Sequence, residues 1–388
     1  MDYSVFLSLL NDEMNQASQT SSGHQIIRFA KPQQYYECLL ALAKLKPTLK
    51  NLRHVRASRL IRALIVPLTP SARLHSLSNP SLTIENDSKI KVHSTIKNIK
   101  TPPSGGGHGI PWGVRKIRAH KAWSNSTGHR IKIAVIDTGA DYQHPDLRHS
   151  LARGINLLNR NMLPFDDNGH GTHIAGTIAA ANSTEGIIGV APRSIIYPVK
   201  AFDHQGSAYV SDIILGIDWC VRNRVDIINM SFGMRTKSKA LLDVVNKASR
   251  EGIVIVASSG NDGKRRSIDY PARYAQTISV GATDENRRIA EFSNRGPYVD
   301  VYAPGKNIYS CWTHGKYHEM SGTSMATSHV SGAIALLLSE RPGLSPEEIK
   351  TLIKKSATPL RSGKSARSSD QGGELHALRL LQEGTKSS

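Results

Sequence analysis

Three side chains in this sequence have the types and settings that acyl-transfer chemistry needs. Asp137 lies in Ile133-Ala-Val-Ile-Asp-Thr-Gly139, His170 in Gly169-His-Gly-Thr-His-Ile-Ala-Gly176, and Ser324 in Ser321-Gly-Thr-Ser-Met-Ala326. A serine hydroxyl is a weak nucleophile until a base takes its proton, and an imidazole serves as that base when a carboxylate fixes its tautomer. Small neighbours leave each reactive atom accessible.

Taken singly, each segment has a second reading. Asp-Thr-Gly is also the signature of aspartic peptidases, but those share one proton between two carboxylates, and the motif occurs once here. His170 and His173 have the spacing of a metal pair, which is weak without a nearby Cys or Glu; His173 suits a structural role. A serine in Gly-x-Ser-x-Ala is most often a helix cap. The conjunction of all three, in the order Asp, His, Ser, is what points to nucleophilic catalysis.

The elements that must position these groups are legible from residue 109 onward. Apolar, β-branched runs at 131–136, 195–199, 225–230, 253–257, 277–280 and 299–302 predict strands, and segments 211–221 and 239–250 have helix length. Strands buried on both faces and separated by helices indicate a mostly parallel sheet of the α/β class. Ser324 opens an apolar helix over 325–338, and Ser345-Pro-Glu-Glu348 starts another over 345–355. Asp137 then sits at a strand's carboxyl end and His170 and Ser324 at helix starts, where such sheets place their sites.

Residues 1–100 differ in character. They carry strand-like and helix-like runs (59–66 and 39–43) but none of the reactive groups, and read as a small α+β domain. Residues 101–109, opening Thr101-Pro-Pro-Ser-Gly-Gly-Gly107, read as an exposed linker, and 110–388 as the chemical domain. Chain length (388 residues) and a 39% hydrophobic fraction suffice for this division.

The formal net charge is +19, but the lysines and arginines are dispersed, with no aromatic-interleaved basic stripe or helix-turn-helix pattern. A general surface field is expected rather than a specific nucleic-acid partner. No apolar run approaches the roughly 20 residues of a membrane helix, and no membrane partner is expected. The stretch Val5–Leu10 is interrupted by Ser8 and has no basic residues before it, so no secretory signal peptide is recognisable. The compartment stays open between the cytoplasm and a non-classical export route. Cys38, Cys220 and Cys311 are too scattered for a disulfide framework and read as buried thiols, with a Cys220–Cys311 bridge as the alternative.

With these residues in hand, the chain resembles the subtilisin-like (subtilase) serine peptidases over about residues 110–383. Ile110-Pro-Trp-Gly-Val114 resembles the start of the mature enzymes, and Ser258-Ser-Gly-Asn261 the segment whose asparagine donates to the oxyanion. The resemblance implies an endopeptidase of broad specificity acting on proteins through an acyl-enzyme, with Asp137, His170, Ser324 and Asn261 catalytic. It also implies a substrate cleft lined by Gly206, Ser207 and Ala208 on one side and by Ser231, Phe232 and Gly233 on the other, with Ser259 and Gly260 near the primary pocket. An extended peptide would lie there as an added strand. Asp262, beside the oxyanion asparagine, is either a pocket carboxylate admitting a basic residue or a solvated loop group.

Other expectations follow from the same resemblance. A structural calcium ion is implied at Asp146 and the loop 182–187, with Asn182, Ser183, Glu185 and Ile187 as its ligands; the family's usual asparagine is here Ser183. Family members usually carry proline four residues after the nucleophile, where this chain has Ser328; proline would bend the helix. Residues 59–92 are similar to the end of the family's inhibitory propeptide, which implies a self-processing zymogen cut near 98–109 and inhibited by its own N-terminal domain. Family members are commonly monomers. The competing readings are an inactive binding module, which intact site residues argue against, and a nucleic-acid binder, which would show a steep salt dependence.

Overall fold

The computed structural model describes residues 2–17, 23–68, 81–93, 109–182, 184–361 and 372–386. The first part of the chain forms helix α1 (Tyr3–Ala17), strand β1 (Gln25–Phe29), helix α2 (Pro32–Leu45) and strands β2 (Arg56–Ser58), β3 (Ala63–Val66), β4 (Leu82–Asn86) and β5 (Lys89–Val92). Four of these strands make an antiparallel sheet in the order β2-β3-β1-β4. Side chains alternate across a strand, so Ile27 joins a core with Phe6, Leu7, Leu10 and Tyr35 from the two helices. Its neighbour Ile26 points the other way, into the larger body.

That body begins with α3 (Trp112–Lys116), α4 (Ala119–Ala122), β6 (Lys132–Asp137), β7 (Ile155–Asn156), α5 (His170–Ala179), β8 (Ile195–Lys200), β9 (Ser207–Tyr209) and α6 (Val210–Arg222). It continues through β10 (Ile227–Met230), β11 (Phe232–Gly233), α7 (Lys239–Arg250), β12 (Val254–Ser258), β13 (Thr277–Thr283), β14 (Val301–Pro304), β15 (Ile308–Trp312) and β16 (Lys316–Met320). It closes with α8 (Thr323–Glu340), α9 (Pro346–Ser356), β17 (Thr358–Pro359), β18 (Gly373–Glu374) and α10 (Ala377–Lys386). Nine strands form one sheet in the order β17-β18-β14-β13-β12-β10-β6-β8-β7. Its pairings are parallel except β17 with β18.

Both faces are covered, as the continuous apolar strands predict. Ile133 and Val135 of β6 pack with Ile174, Ile178, Val330 and Ile334 of α5 and α8. Ala134 and Ile136, one residue out of phase, pack with Ile213, Ile217, Leu241 and Val245 of α6 and α7. Two strands start two residues later than their apolar runs. Val225 is held in the turn after α6, its N–H donating to the Cys220 carbonyl, and Val299 closes a turn on Gly296. Helix α9 begins with a full capping box, Ser345 and Glu348 satisfying each other's backbone N–H. All three cysteines are unpaired and buried. Cys220 and Cys311 lie in cores on opposite faces of the sheet, which rules out the alternative of a bridge between them.

The smaller part is anchored on the larger by polar contacts that use helix starts. Ser238 Oγ and Ala240 N–H, at the beginning of α7, both donate to the Glu85 carboxylate. Ser211 N–H in the first turn of α6 donates to Asp87 at 3.0 Å. Carboxylates at these positions satisfy orphan amides and complement the helix dipole. Burial pushes the Asp87 carboxyl up to about 6, opposed by its hydrogen bonds from Ser211. Arg56 pairs with Asp212 of α6 as well.

Two histidines are locked inside this fold in the neutral form. Desolvation brings His173 down to about 3 and His329 down to about 4. The unfolded chain protonates both near pH 6.5, so between there and about pH 4 it binds more protons than the native state and stability falls with falling pH. Urea midpoints should decline across that window, and His329→Gln should reduce the slope by up to about 1.4 kcal/mol per pH unit. An unchanged slope would mean that His329 is protonated in the folded protein.

Candidate active site

Asp137 is the last residue of β6 and fully buried. Its Oδ1 accepts hydrogen bonds from Thr138 N–H at 2.8 Å and from His170 Nδ1 at 2.7 Å. An ionised carboxylate only accepts, so Nδ1 carries the proton and Nε2 keeps a lone pair. His170 Nε2 is buried and has no hydrogen-bond partner among the described residues.

His170 reaches Asp137 because α5 begins almost against the end of β6. A Cβ on Gly171 would stand 2.2 Å from the Gly139 carbonyl oxygen, so only glycine permits that approach. Asp166 ties the two segments together. Its Oδ1 accepts from Thr138 Oγ1, Asn168 N–H and Gly169 N–H, and its Oδ2 from the amide and hydroxyl of Thr172. The sequence reading passed over Asp166, although an Asp four residues before a helix start is a turn-and-cap signal. His173, three residues on, directs Nε2 to the carbonyls of Ile308 and His318. It is structural, as expected.

Ser324 is the second residue of α8. Its Oγ lies 2.6 Å from the His93 carbonyl oxygen and 2.9 Å from that of Ser231, and its one hydrogen serves either. Helix α8 runs 18 residues without interruption. Ser328, in the place of the family proline, donates its hydroxyl to the Ser324 carbonyl at 3.0 Å. Asn261 Oδ1 accepts from Thr323 N–H and Oγ1 at 2.9 and 2.8 Å, which turns Nδ2 the other way. That Nδ2 is buried and unpartnered among the described residues. Gly322 separates the two: a Cβ there would lie 2.6 Å from the His93 oxygen and 3.2 Å from Asn261 Nδ2.

The His93 carbonyl arrives on strand β5, which fills the expected cleft. β5 pairs antiparallel with β9 on one side (Lys91 opposite Ser207, Ile90 opposite Ala208) and with β11 on the other (Val92 opposite Phe232, Lys91 opposite Gly233). Val92 N–H donates to the Gly206 carbonyl and His93 N–H to that of Ser231, each at 3.1 Å. Gly206, Ser207, Ala208, Ser231, Phe232 and Gly233 are therefore brought together around one strand. Ser259 turns its hydroxyl to the Asn294 carbonyl. A Cβ on Gly260 would lie 2.8 Å from Asp269 Oδ2.

Asp262 is not in the pocket. It is a surface carboxylate paired with Arg235 at 2.9 Å and Lys264 at 4.0 Å. The carboxylate that reaches the pocket is Asp269, 2.9 Å from His93 Nε2. Nothing in the local sequence marks it. The carbonyl offered to Ser324 also lies upstream of the expected 98–109 region, most of which falls outside the described residues.

Asp146 is brought together with two of the expected calcium ligands, Asn182 and Ile187. Asp146 accepts from Asn182 Nδ2, Ile187 N–H and Tyr317 O–H, each at 2.9 Å. Asn182 Oδ1 takes three donors from Thr184 and Glu185, and the Ile187 carbonyl takes Asn182 N–H. Glu185 is exposed, and Ser183 lies outside the described residues. A hard cation would compete for these oxygens with the protein donors that hold them. His144, Asp146 and Cys311 also cluster, but both ring nitrogens of His144 are engaged with backbone atoms.

A family model described as the subtilase family, Peptidase_S8, matches residues 128–375. Subtilisin from Bacillus pumilus is 44% identical over 258 residues, covering 65% of this chain and 93% of that protein. The thermostable alkaline protease of Halalkalibacterium halodurans is 42% identical over 254 residues, 65% of this chain and 69% of that one. Subtilisin E of Bacillus subtilis is 44% identical over 256 residues, 65% and 67% of the two chains.

Because both Asp146 oxygens already accept protein hydrogen bonds, thermal melts with calcium and with a chelator should coincide. A native-state site held at a hundred times its Kd would instead add about 2.7 kcal/mol, which a melt would register as a clear rise in Tm.

Proposed function

The chain belongs to the subtilase family and is a serine endopeptidase acting on protein substrates, and on that premise we propose that Asp137, His170, Ser324 and Asn261 carry its reaction and that the N-terminal part is its own cleavable inhibitor. One observation supports this above the others: strand β5 delivers the His93 carbonyl to Ser324 Oγ at 2.6 Å, in a cleft whose base is already oriented by Asp137.

In this reading the Ser324 hydroxyl swings from the two carbonyls to the free Nε2 of His170, which removes its proton as Oγ attacks the carbonyl carbon. Negative charge collects on the former carbonyl oxygen. Asn261 Nδ2 and the Ser324 N–H at the start of α8 are the donors suited to hold it. His170 then protonates the departing amine. Water, deprotonated by the same nitrogen, releases the acyl group. Asp137 stays ionised throughout and stabilises the imidazolium.

Main-chain pairing on both sides of β5 supports tolerance of varied side chains along the substrate strand. The same pairing supports inhibition in cis: the chain's own strand, clamped by Glu85 and Asp87 at two helix starts, excludes other peptides until it is cut. Cleavage is proposed after His93, with further trimming before Gly109. Gly109 is docked on the body through the Gly186 carbonyl and Ile188 N–H, and 15 residues (94–108) of connecting sequence can span about 50 Å when extended. Docking of Gly109 and occupation of the cleft by β5 are therefore compatible before the cut.

Wild type and Ser324→Ala incubated in parallel test this by intact mass. Wild type should yield an N-terminal fragment ending at His93 and should digest casein, while Ser324→Ala stays whole and inert. Wild type that remains whole and inert overturns the proposal. Asn261→Leu should lose roughly 10²–10³-fold in kcat with KM little changed, a magnitude taken from subtilisin itself rather than derived from this geometry.

A further inference from the structure

The side chain of His93 occupies a pocket whose chemistry goes beyond a generic peptidase cleft. We propose that Asp269 selects a cationic side chain at the residue whose carbonyl is attacked, so that this peptidase cuts after histidine, lysine or arginine. The inference rests on the peptidase reading above and narrows it to a substrate class.

The imidazole is held at both nitrogens: Nε2 is 2.9 Å from Asp269 Oδ2, and Nδ1 is 2.8 Å from Ser258 Oγ. Both side chains are about 10% exposed. Two glycines keep the slot open down to the carboxylate. A Cβ on Gly233 would lie 2.2 Å from His93 Cε1 and 2.7 Å from Asp269 Cβ, and one on Gly260 would lie 2.8 Å from Asp269 Oδ2. Asp269 is fixed by its own backbone, its N–H donating to the Ser259 carbonyl. Among the described residues, its only basic partner within salt-bridge distance is His93. Asp262, by contrast, is neutralised at the surface by Arg235 and Lys264.

The selectivity follows from what each occupant leaves behind. A cationic side chain pairs with Asp269 as water is expelled. A leucine or phenylalanine in the same slot would bury the carboxylate without a partner, and one member of a buried pair left alone is costly. Sites built around a polar partner reject occupants lacking it far more strongly than apolar pockets reject size variants. Lysine and arginine have flexible stems that can adjust to the depth set by histidine.

The test uses the full chain after incubation, with Ser324 competence counted by a serine-directed phosphonate label. Peptides sharing Ile-Lys-Val before a variable residue (His, Lys, Arg, Leu or Phe) report kcat/KM. Lysine and arginine should exceed leucine and phenylalanine by roughly 10- to 100-fold, the range of a charge-assisted hydrogen bond. Asp269→Asn and Asp269→Ser should collapse that ratio while Ser324 still labels. Equal or better cleavage after leucine and phenylalanine by labelled wild type overturns the inference and leaves the peptidase reading intact. A cationic preference that survives in a labelled Asp269 variant also overturns it. No label and no cleavage by wild type overturns the peptidase reading, and this inference with it. The wild-type profile decides the matter even if one variant does not fold.

Discussion

The hydrogen bond between His170 and Asp137 joins residues 33 apart in the chain, and much of the surrounding structure maintains its length. The two groups sit on different elements, one ending a strand and one starting a helix. They meet only because Gly171 lets α5 press against the Gly139 carbonyl and because Asp166 binds the Thr138 loop to the first turn of α5. Lys200 Nζ, buried at the end of β8, donates to the Thr138 carbonyl and to Asp167 and so holds the same loop from the other side. Each contact is worth only about 1 kcal/mol or somewhat more. Together they remove the freedom that would let the imidazole turn away from the carboxylate.

A second constraint is the strand slot between β9 and β11. Its edges are unsatisfied without an occupant, since a strand flanked on both sides needs a partner for its amides and carbonyls. In this chain the occupant is covalently attached, and two acidic side chains anchor it at helix starts outside the cleft. Such attachment raises the effective concentration of a modest binder. The strand that occupies the slot also fixes the register in which a carbonyl meets Ser324, so in the proposed self-processing inhibition and presentation for cleavage would share one geometry.

Much of this was readable in advance, and the failures are instructive. Helix α7 covers the span whose length between two strand-like runs suits a helix, and the capping box of α9 is visible in Ser345-Pro-Glu-Glu348. Asp137, His170 and Ser324 are each flagged by small-residue surroundings, because close approach of backbone leaves a signature in composition. Asp262 and Asp269 show where the sequence stops. Adjacency to Asn261 left Asp262 open between a pocket carboxylate and a solvated loop group, and its side chain turns to surface cations, while Asp269, seven residues further along the same connection, enters the pocket. Charge near a functional residue in sequence says little about which way a side chain points. The loop around Asp146 shows a related limit: oxygen-rich composition suits a cation, but it does not reveal that Tyr317, 171 residues away, donates to the same carboxylate.

The sequence by itself determined the fold class, the order of the reactive groups and the elements that bear them. Those depend on local periodicity, turn chemistry and residue size, which act over a few positions. Only the tertiary structure decided which carbonyl faces Ser324, which carboxylate lines the pocket and whether Asp146 is free to hold a cation. Those depend on contacts between segments 36 to 231 residues apart, and no local pattern encodes a hydrogen bond across that distance.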